Sequence, residues 1–161
     1  STVAMARAVS SFTGLPHRCQ RVSELGGVSF INDSKATNVG ATCAALVGLG
    51  EVRPGQLPHI VLIAGGDGKG ADFSPLAEVV ARFAKAVVLI GRDGPQLAAA
   101  LGDRVLKRTA ASMREAVELA ADLAEPGDLV LLSPACASFD MYDNFSARGE
   151  DFSRCVEALA A

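Results

Sequence analysis

Basic runs, paired cysteines and long apolar stretches are all missing from this chain, and each absence removes a class of function. Fifteen Lys and Arg against eighteen Asp and Glu leave a net charge of −3, so a nucleic-acid partner held by phosphate neutralisation is not expected. The four cysteines, Cys19, Cys43, Cys136 and Cys155, show no CxxC spacing and sit among small or apolar neighbours. Reduced, cytosolic thiols account for them better than a disulfide framework or a zinc site, and no metal ligands are expected. No apolar run reaches membrane-spanning length and the opening residues do not read as a signal peptide. The expectation is a soluble, cytoplasmic protein without membrane insertion. Internal repeats, low-complexity segments and linkers are lacking too. What is there is apolar and flexible in backbone: half of the 161 residues are hydrophobic and 16 are Gly, with only 5% aromatic. That composition fits one tightly connected α/β domain rather than a disordered or fibrous chain. Its length allows roughly two-thirds of the unfolded surface to be buried.

Strand and helix signals alternate along the chain. Ser1 to Phe12 reads as a short helix closed by Thr13-Gly14-Leu15-Pro16, and its abrupt start suggests a piece of a longer protein. Cys19 to Leu25 and Val28 to Ile31, on either side of Gly26-Gly27, predict a hairpin. Val39 to Leu49 predicts a buried helix, and Arg53-Pro54-Gly55 a loop. His59 to Ala64, Ala86 to Ile90 and Leu129 to Leu132 are continuous apolar runs of the kind covered on both faces of a parallel sheet. Between them, Ser74 at the cap and Pro75 at the first helical position open a helix to about Ala84. Pro95 to Gly102 is a short helix and Arg104 to Lys107 a brief edge strand. Ser112-x-x-Glu115 is a capping box for a helix to Glu125, and Glu150 to Ala160 is the closing helix. The predicted fold is a Rossmann-like, doubly wound α/β domain with a mostly parallel sheet and an N-terminal β-hairpin.

Chemistry-bearing residues collect where strands end. In Phe30 to Asn38 a β-branched, apolar run breaks into polar residues. Were the extended backbone to persist, Asp33, Lys35 and Thr37 would project to one side at the mouth of the sheet, where ligands of α/β proteins bind. An Asx turn followed by a helix cap reads the same residues equally well. Lys69, in Gly65-Gly66-Asp67-Gly68-Lys69-Gly70, is a point cation on a loop with little side-chain bulk, which suits a small carboxylate ligand. Ser133 to Ser138 is all small residues around one Pro, with amides open to an anion. The aromatics that follow, Phe139, Tyr142 and Phe145 with Met141, read mostly as a plug for the end of the core. Arg148 serves equally as a salt-bridge partner for nearby acids, and His17-Arg18 equally as a hinge or a phosphate contact. Gly66 to Ala71 also fits G-x-G-x-x-A with Asp93 near the end of the next strand, so an NAD(P)-binding oxidoreductase domain is the alternative reading. Against it, the helix signals begin only at Ser74-Pro75, which leaves a pyrophosphate without a helix N-terminus. A Walker A loop fails, with Ile63 where Gly is required and Gly70 after Lys69.

Four motifs together resemble one family: Gly14-Leu15-Pro16-His17-Arg18, Asn32-Asp33-Ser34-Lys35-Ala36-Thr37-Asn38, Gly65 to Lys69 with Asp72-Phe73, and Ser133-Pro134-Ala135-Cys136-Ala137-Ser138. In order and spacing they are similar to the C-terminal domain of the Mur ligases, ATP-dependent bacterial enzymes of peptidoglycan synthesis. The last two motifs point to the member that adds D-glutamate to UDP-N-acetylmuramoyl-L-alanine through an acyl phosphate. The resemblance implies that residues 1–13 end a linker helix from a preceding ATP-binding domain and that 14–161 form the D-glutamate-binding domain. It implies ATP and Mg2+ in the complete enzyme, with neither held by this domain alone, and inactivity in isolation. By the same resemblance Arg18, Asp33 and Lys35 face the nucleotide, Arg18 towards phosphate and Asp33 towards the ribose. Lys35 is the catalytic cation near the transferred phosphate. Thr37, Lys69, Ser138, Phe139 and Phe145 hold D-glutamate; Phe139 stands where the family commonly carries Leu.

Overall fold

A computed structural model describes residues 15–52 and 58–161; the expected helix over Ser1–Phe12 and the loop at Arg53-Pro54-Gly55 lie outside the described residues. Six strands form one sheet. They are β1 (Gln20–Leu25), β2 (Val28–Asn32), β3 (Ile60–Gly65), β4 (Ala84–Ile90), β5 (Leu106–Thr109) and β6 (Leu129–Leu132), in the order β1-β2-β6-β3-β4-β5. Only β1 runs antiparallel; it pairs with β2 through a turn in which Gly26 and Gly27 both hold positive φ, 58° and 80°. Two such residues in succession give the hairpin turn whose twist matches the strands, and glycine adopts it without steric cost.

The helices are α1 (Val39–Gly50), α2 (Ser74–Phe83), α3 (Gly94–Leu101), α4 (Met113–Leu123) and α5 (Phe145–Leu159). Each central strand is apolar on both faces because both are covered. Ile60, Leu62 and Ala64 pack with Leu46, Leu76, Val80, Phe83, Leu97 and Leu101 of α1–α3. Val61 and Ile63 pack with Met113, Val117, Phe152 and Val156 of α4 and α5. The period-two alternation of a strand thus feeds two separate cores. The chain leaves β2 and β3 towards the first face and leaves β6 towards the second. Crevices therefore open beside the carboxyl end of β6, the topological switch point where open α/β sheets place ligands.

Several boundaries differ from expectation for identifiable reasons. Ser74 does not cap α2; Phe73 occupies that position, and the Asp72 carboxylate accepts from the Ser74 amide and hydroxyl at 2.9 and 2.8 Å. The edge strand sits at Leu106–Thr109, two residues later than its sequence signal, because its register is set by pairing with β4. The closing helix starts at Phe145, capped by Asn144, whose side chain accepts from the Ala147 amide. The apolar stripe Phe145, Gly149, Phe152 and Val156 carries that earlier start.

Candidate functional site at the carboxyl ends of β2, β3 and β6

The extended backbone does not persist past β2. A turn closed by the Ala36 amide on the Asp33 carbonyl, 2.9 Å, follows Asn32 at once, so Asp33, Lys35 and Thr37 do not share a strand face. Asn32 explains the break. Its Oδ1 accepts from the Ser34 amide at 3.1 Å, while its Nδ2 donates to the Gly149 carbonyl at 3.0 Å and lies 3.1 Å from His17 Nδ1. Asn38 then caps α1 by accepting from the Ala41 amide. The Asx turn and the cap are both real, and they set the loop out.

Asp33 is 8% exposed. One carboxylate oxygen accepts from the Cys19 amide at 3.1 Å, the other from the Ser133 hydroxyl at 2.8 Å. Burial pushes its carboxyl above the usual range, and those two hydrogen bonds pull it part of the way back. Arg18, Asp33 and Lys35 come together along a groove of about 540 Å³ floored by Ala36 and by Ala41, Ala44 and Ala45 of α1. All three residues expected to face a nucleotide line it. His17 does not; bonded to Asn32 and edge-on to Phe145 at 6.2 Å between ring centroids, it braces the loop.

The loop after β3 passes beneath its neighbours with no room for side chains: a Cβ on Gly65, at φ 127°, would stand 1.9 Å from the Ile90 carbonyl oxygen. The loop is then tied to the one after β6 by a two-way backbone bridge between Asp67 and Ala137, at 2.9 and 2.8 Å, and by the Gly65 amide on the Pro134 carbonyl, 3.0 Å. The β6 loop is tied in turn to the β2 loop through the Ala135 amide on the Ala36 carbonyl, 3.0 Å. Three separate segments are thus bonded into one rim. Lys69 Nζ stands over the Phe139 ring, 5.8 Å from its centroid, and Lys35 Nζ over the Phe145 ring at 5.7 Å. The side-chain hydroxyls of Thr37 and Ser138 have no hydrogen-bond partner among the described residues. Phe139 is 65% exposed and plugs nothing, contrary to the expectation for this aromatic group. Tyr142 is half-buried and donates to Asp151 at 2.6 Å.

Two features escaped sequence reasoning. The non-glycine residues with positive φ among the described ones are Lys69 and Ala135 in these loops and His17 and Cys19 in the segment that leads into β1. Each such conformation costs about 1–3 kcal/mol and persists at sites that use it; no residue type announces it. The second is Arg148, which is 1% exposed and makes no ion pair with a carboxylate among the described residues. It donates to the Ser34 hydroxyl, the Ser34 carbonyl and the Cys136 carbonyl at 3.0, 2.7 and 2.9 Å. The apolar stripe of α5 is the one signal that bears on it, and that stripe puts Arg148 near the start of the helix without naming its partners.

Charge is distributed unevenly over the rim. Arg18, Lys35 and Lys69 make no ion pair with a described residue, whereas Arg92 neutralises Asp67 and Asp93 at the end of β4. Asp93 also accepts from the Gly68 amide at 2.7 Å, which together with Arg92 holds its carboxyl below the usual range. The acid that a dinucleotide site would need for its ribose is thus spent on the glycine loop, and that loop ends four residues before α2 begins. Among the described residues, no cluster of three His, Cys, Asp or Glu side chains is placed to hold a metal ion. No helix among them is long and apolar enough to cross a membrane.

Comparison with known proteins identifies the family. A family profile described as "Mur ligase, glutamate ligase domain" matches residues 17–136. The UDP-N-acetylmuramoylalanine--D-glutamate ligase of Pseudomonas aeruginosa is 58% identical over 157 residues, covering 98% of this chain and 34% of that protein. That of Hahella chejuensis is 56% identical over 153 residues, covering 95% and 34%. The chain therefore spans about a third of the length of the curated relatives it matches. A solved structure of E. coli FolC in complex with DHPP and ADP superposes with a TM-score of 0.64 at 22% identity, over 100% of this chain and 36% of that one; at that identity the likeness speaks for the fold alone. None of these comparisons supports an oxidoreductase. The chain belongs to the Mur ligase family, as its glutamate ligase domain.

Proposed function

We propose that this chain is the D-glutamate-binding, nucleotide-completing part of an ATP-dependent bacterial ligase that joins D-glutamate to UDP-N-acetylmuramoyl-L-alanine in the cytoplasm. Residues 14–161 are the domain proper, and 1–13 lead out of an ATP-binding domain that precedes it. The observation that carries the reading is the hydrogen bonding of the loops that bear Lys35, Lys69 and Ser138 into one rim, on which neither lysine makes an ion pair with a described residue, in a chain 58% identical to such a ligase. ATP supplies the phosphoryl group that activates the acceptor's terminal carboxylate as an acyl phosphate.

The chain's own residues position and neutralise. Arg18 and Lys35 line one side of the groove as cations for phosphate oxygens. Asp33, with both oxygens already held, keeps spare lone pairs for a ribose hydroxyl. D-Glutamate carries two carboxylates and one amine. Lys69 with the Thr37 and Ser138 hydroxyls are of the type that anchors carboxylates, and Phe139 and Phe145 hold the two ammonium groups from beneath and wall the pocket. Fixing the amine against the activated carbon contributes up to several kcal/mol of barrier reduction without covalent participation. Any Mg2+ ligands belong to the parts of the protein outside this chain.

The test is D-glutamate-dependent phosphate release by the full-length protein with ATP and UDP-N-acetylmuramoyl-L-alanine. Turnover with D- but not L-glutamate is expected, lost in Lys69→Ala, with no turnover by residues 1–161 alone. Ligation by the isolated chain, or indifference to Lys69, contradicts the reading.

A further inference from the structure

We propose that Arg148 is a positioning residue whose forked guanidinium sets the gap between the Lys35–Thr37 loop and the Ser138 loop, and so the fit of a dicarboxylic amino acid between them. This rests on the functional reading above and adds to it a residue that touches no substrate. Arg148 reaches from the first turns of α5 into the seam between two loops. Nε and one terminal nitrogen grip the hydroxyl and carbonyl of Ser34, next to Lys35. The other terminal nitrogen grips the carbonyl of Cys136, two residues before Ser138. The Ser34 hydroxyl passes the link on, donating to the Phe145 carbonyl at 2.7 Å, and Phe145 is the ring beneath Lys35. One planar group thereby fixes the β2 loop, the β6 loop and the start of α5 against one another.

The placement is costly, which argues against mere packing. Every acceptor is neutral, no carboxylate forms an ion pair with it among the described residues, and the cation sits near a helix N-terminus, where the backbone dipole disfavours positive charge. Desolvation accordingly pulls the guanidinium down to about 10, still charged at neutral pH. An anionic ligand on the rim offsets part of that cost, so ligand binding and the clamp reinforce each other. Lysine, a point charge without a fork, cannot span both loops.

The experiment compares Arg148→Lys and Arg148→Gln with wild type in the full-length protein. Expected in both is a rise of tenfold or more in KM for D-glutamate with a smaller change in the KM of the sugar-nucleotide acceptor. Partial recovery of Arg148→Ala on adding guanidinium salt is expected as well. A lower melting temperature with an unchanged KM for D-glutamate overturns the proposal, because packing alone predicts that pattern. Should the variants fail to fold, the Arg148 Nε–H resonance of the labelled wild type decides: it shifts on D-glutamate addition if the clamp is coupled to the site, and a resonance unmoved at saturation overturns it. Wild type that turns over without responding to D-glutamate sinks the functional reading itself, a different outcome from normal KM values in the variants.

Discussion

Two grooves lie at opposite ends of the sheet, and the larger one is the less promising. At the amino ends of β3, β4 and β6, a groove of about 700 Å³ is lined by His59, Ala84, Lys85, Arg104, Pro126 and Asp128. Its Lys85 is held between Asp128 at 2.8 Å and Glu125 at 3.2 Å, and Asp128 is itself occupied by the Glu125 amide. At the carboxyl ends the groove is smaller, yet Arg18 and Lys35 line it beside Asp33 and neither cation makes an ion pair with a described residue. The strained residues Cys19, Lys69 and Ala135 sit around that rim and not around the larger groove. Volume records where elements fail to meet. Unspent charge and strained backbone record where a ligand is to be met.

Five substitutions probe that contrast, from the largest expected effect downwards. Gly65→Ala strikes the scaffold under the rim, because its Cβ would overlap the Ile90 carbonyl. A loss of roughly 4 kcal/mol or more in urea unfolding is expected, and a loss below about 1 kcal/mol would mean that the β3 loop is not held as described. Lys35→Ala and Lys69→Ala leave folding almost untouched, both being exposed, but lower kcat/KM of the full-length protein by about 100-fold or more, some 2.7 kcal/mol. Near-normal kinetics in both would empty the rim of function.

Asp33→Asn tests the electrostatics. Burial raises the carboxyl above its ordinary 3.8, so ionisation penalises the folded state once pH passes that unfolded value. Unfolding measurements from pH 3 to pH 6 should therefore show wild type losing ground to the variant as pH rises; ground gained instead would reverse the assigned cause. Lys85→Ala is the mildest change. Its ammonium is raised chiefly by the hydrogen bond to Asp128, so the stabilisation is present below the ordinary lysine range and fades only as pH climbs through the raised value. A partly buried pair at the lip of an open groove contributes on the order of 1 kcal/mol, and kcat/KM should not change. A catalytic defect here would move the site to the larger groove.

How legible these regions were in the sequence follows from the range of the forces that shape them. Apolar runs such as Val61–Ile63 and Leu129–Leu132, the Gly26-Gly27 turn and the Ser112–Glu115 box were readable because local propensity and burial act together there. The helix start at Phe145 was obscured by an aromatic cluster, and β5 was displaced by pairing with β4. For the site, the residue types were legible at Asp33, Lys35 and Lys69, but their assembly was not: the strand reading of 33–37 gave way to the Asn32 turn. Arg148 was undecidable because its partners are two backbone carbonyls and a hydroxyl more than ten residues away, and carbonyls carry no side-chain signature.

The most direct measurement is an amide-shift titration of the labelled chain with D-glutamate, carried to saturation or to tens of millimolar. The account predicts shifts at Lys35, Thr37, Lys69 and Ser138, with Lys85 and Arg104 still. Shifts confined to Lys85, Arg104 and Asp128, or none at the four rim residues, would contradict it.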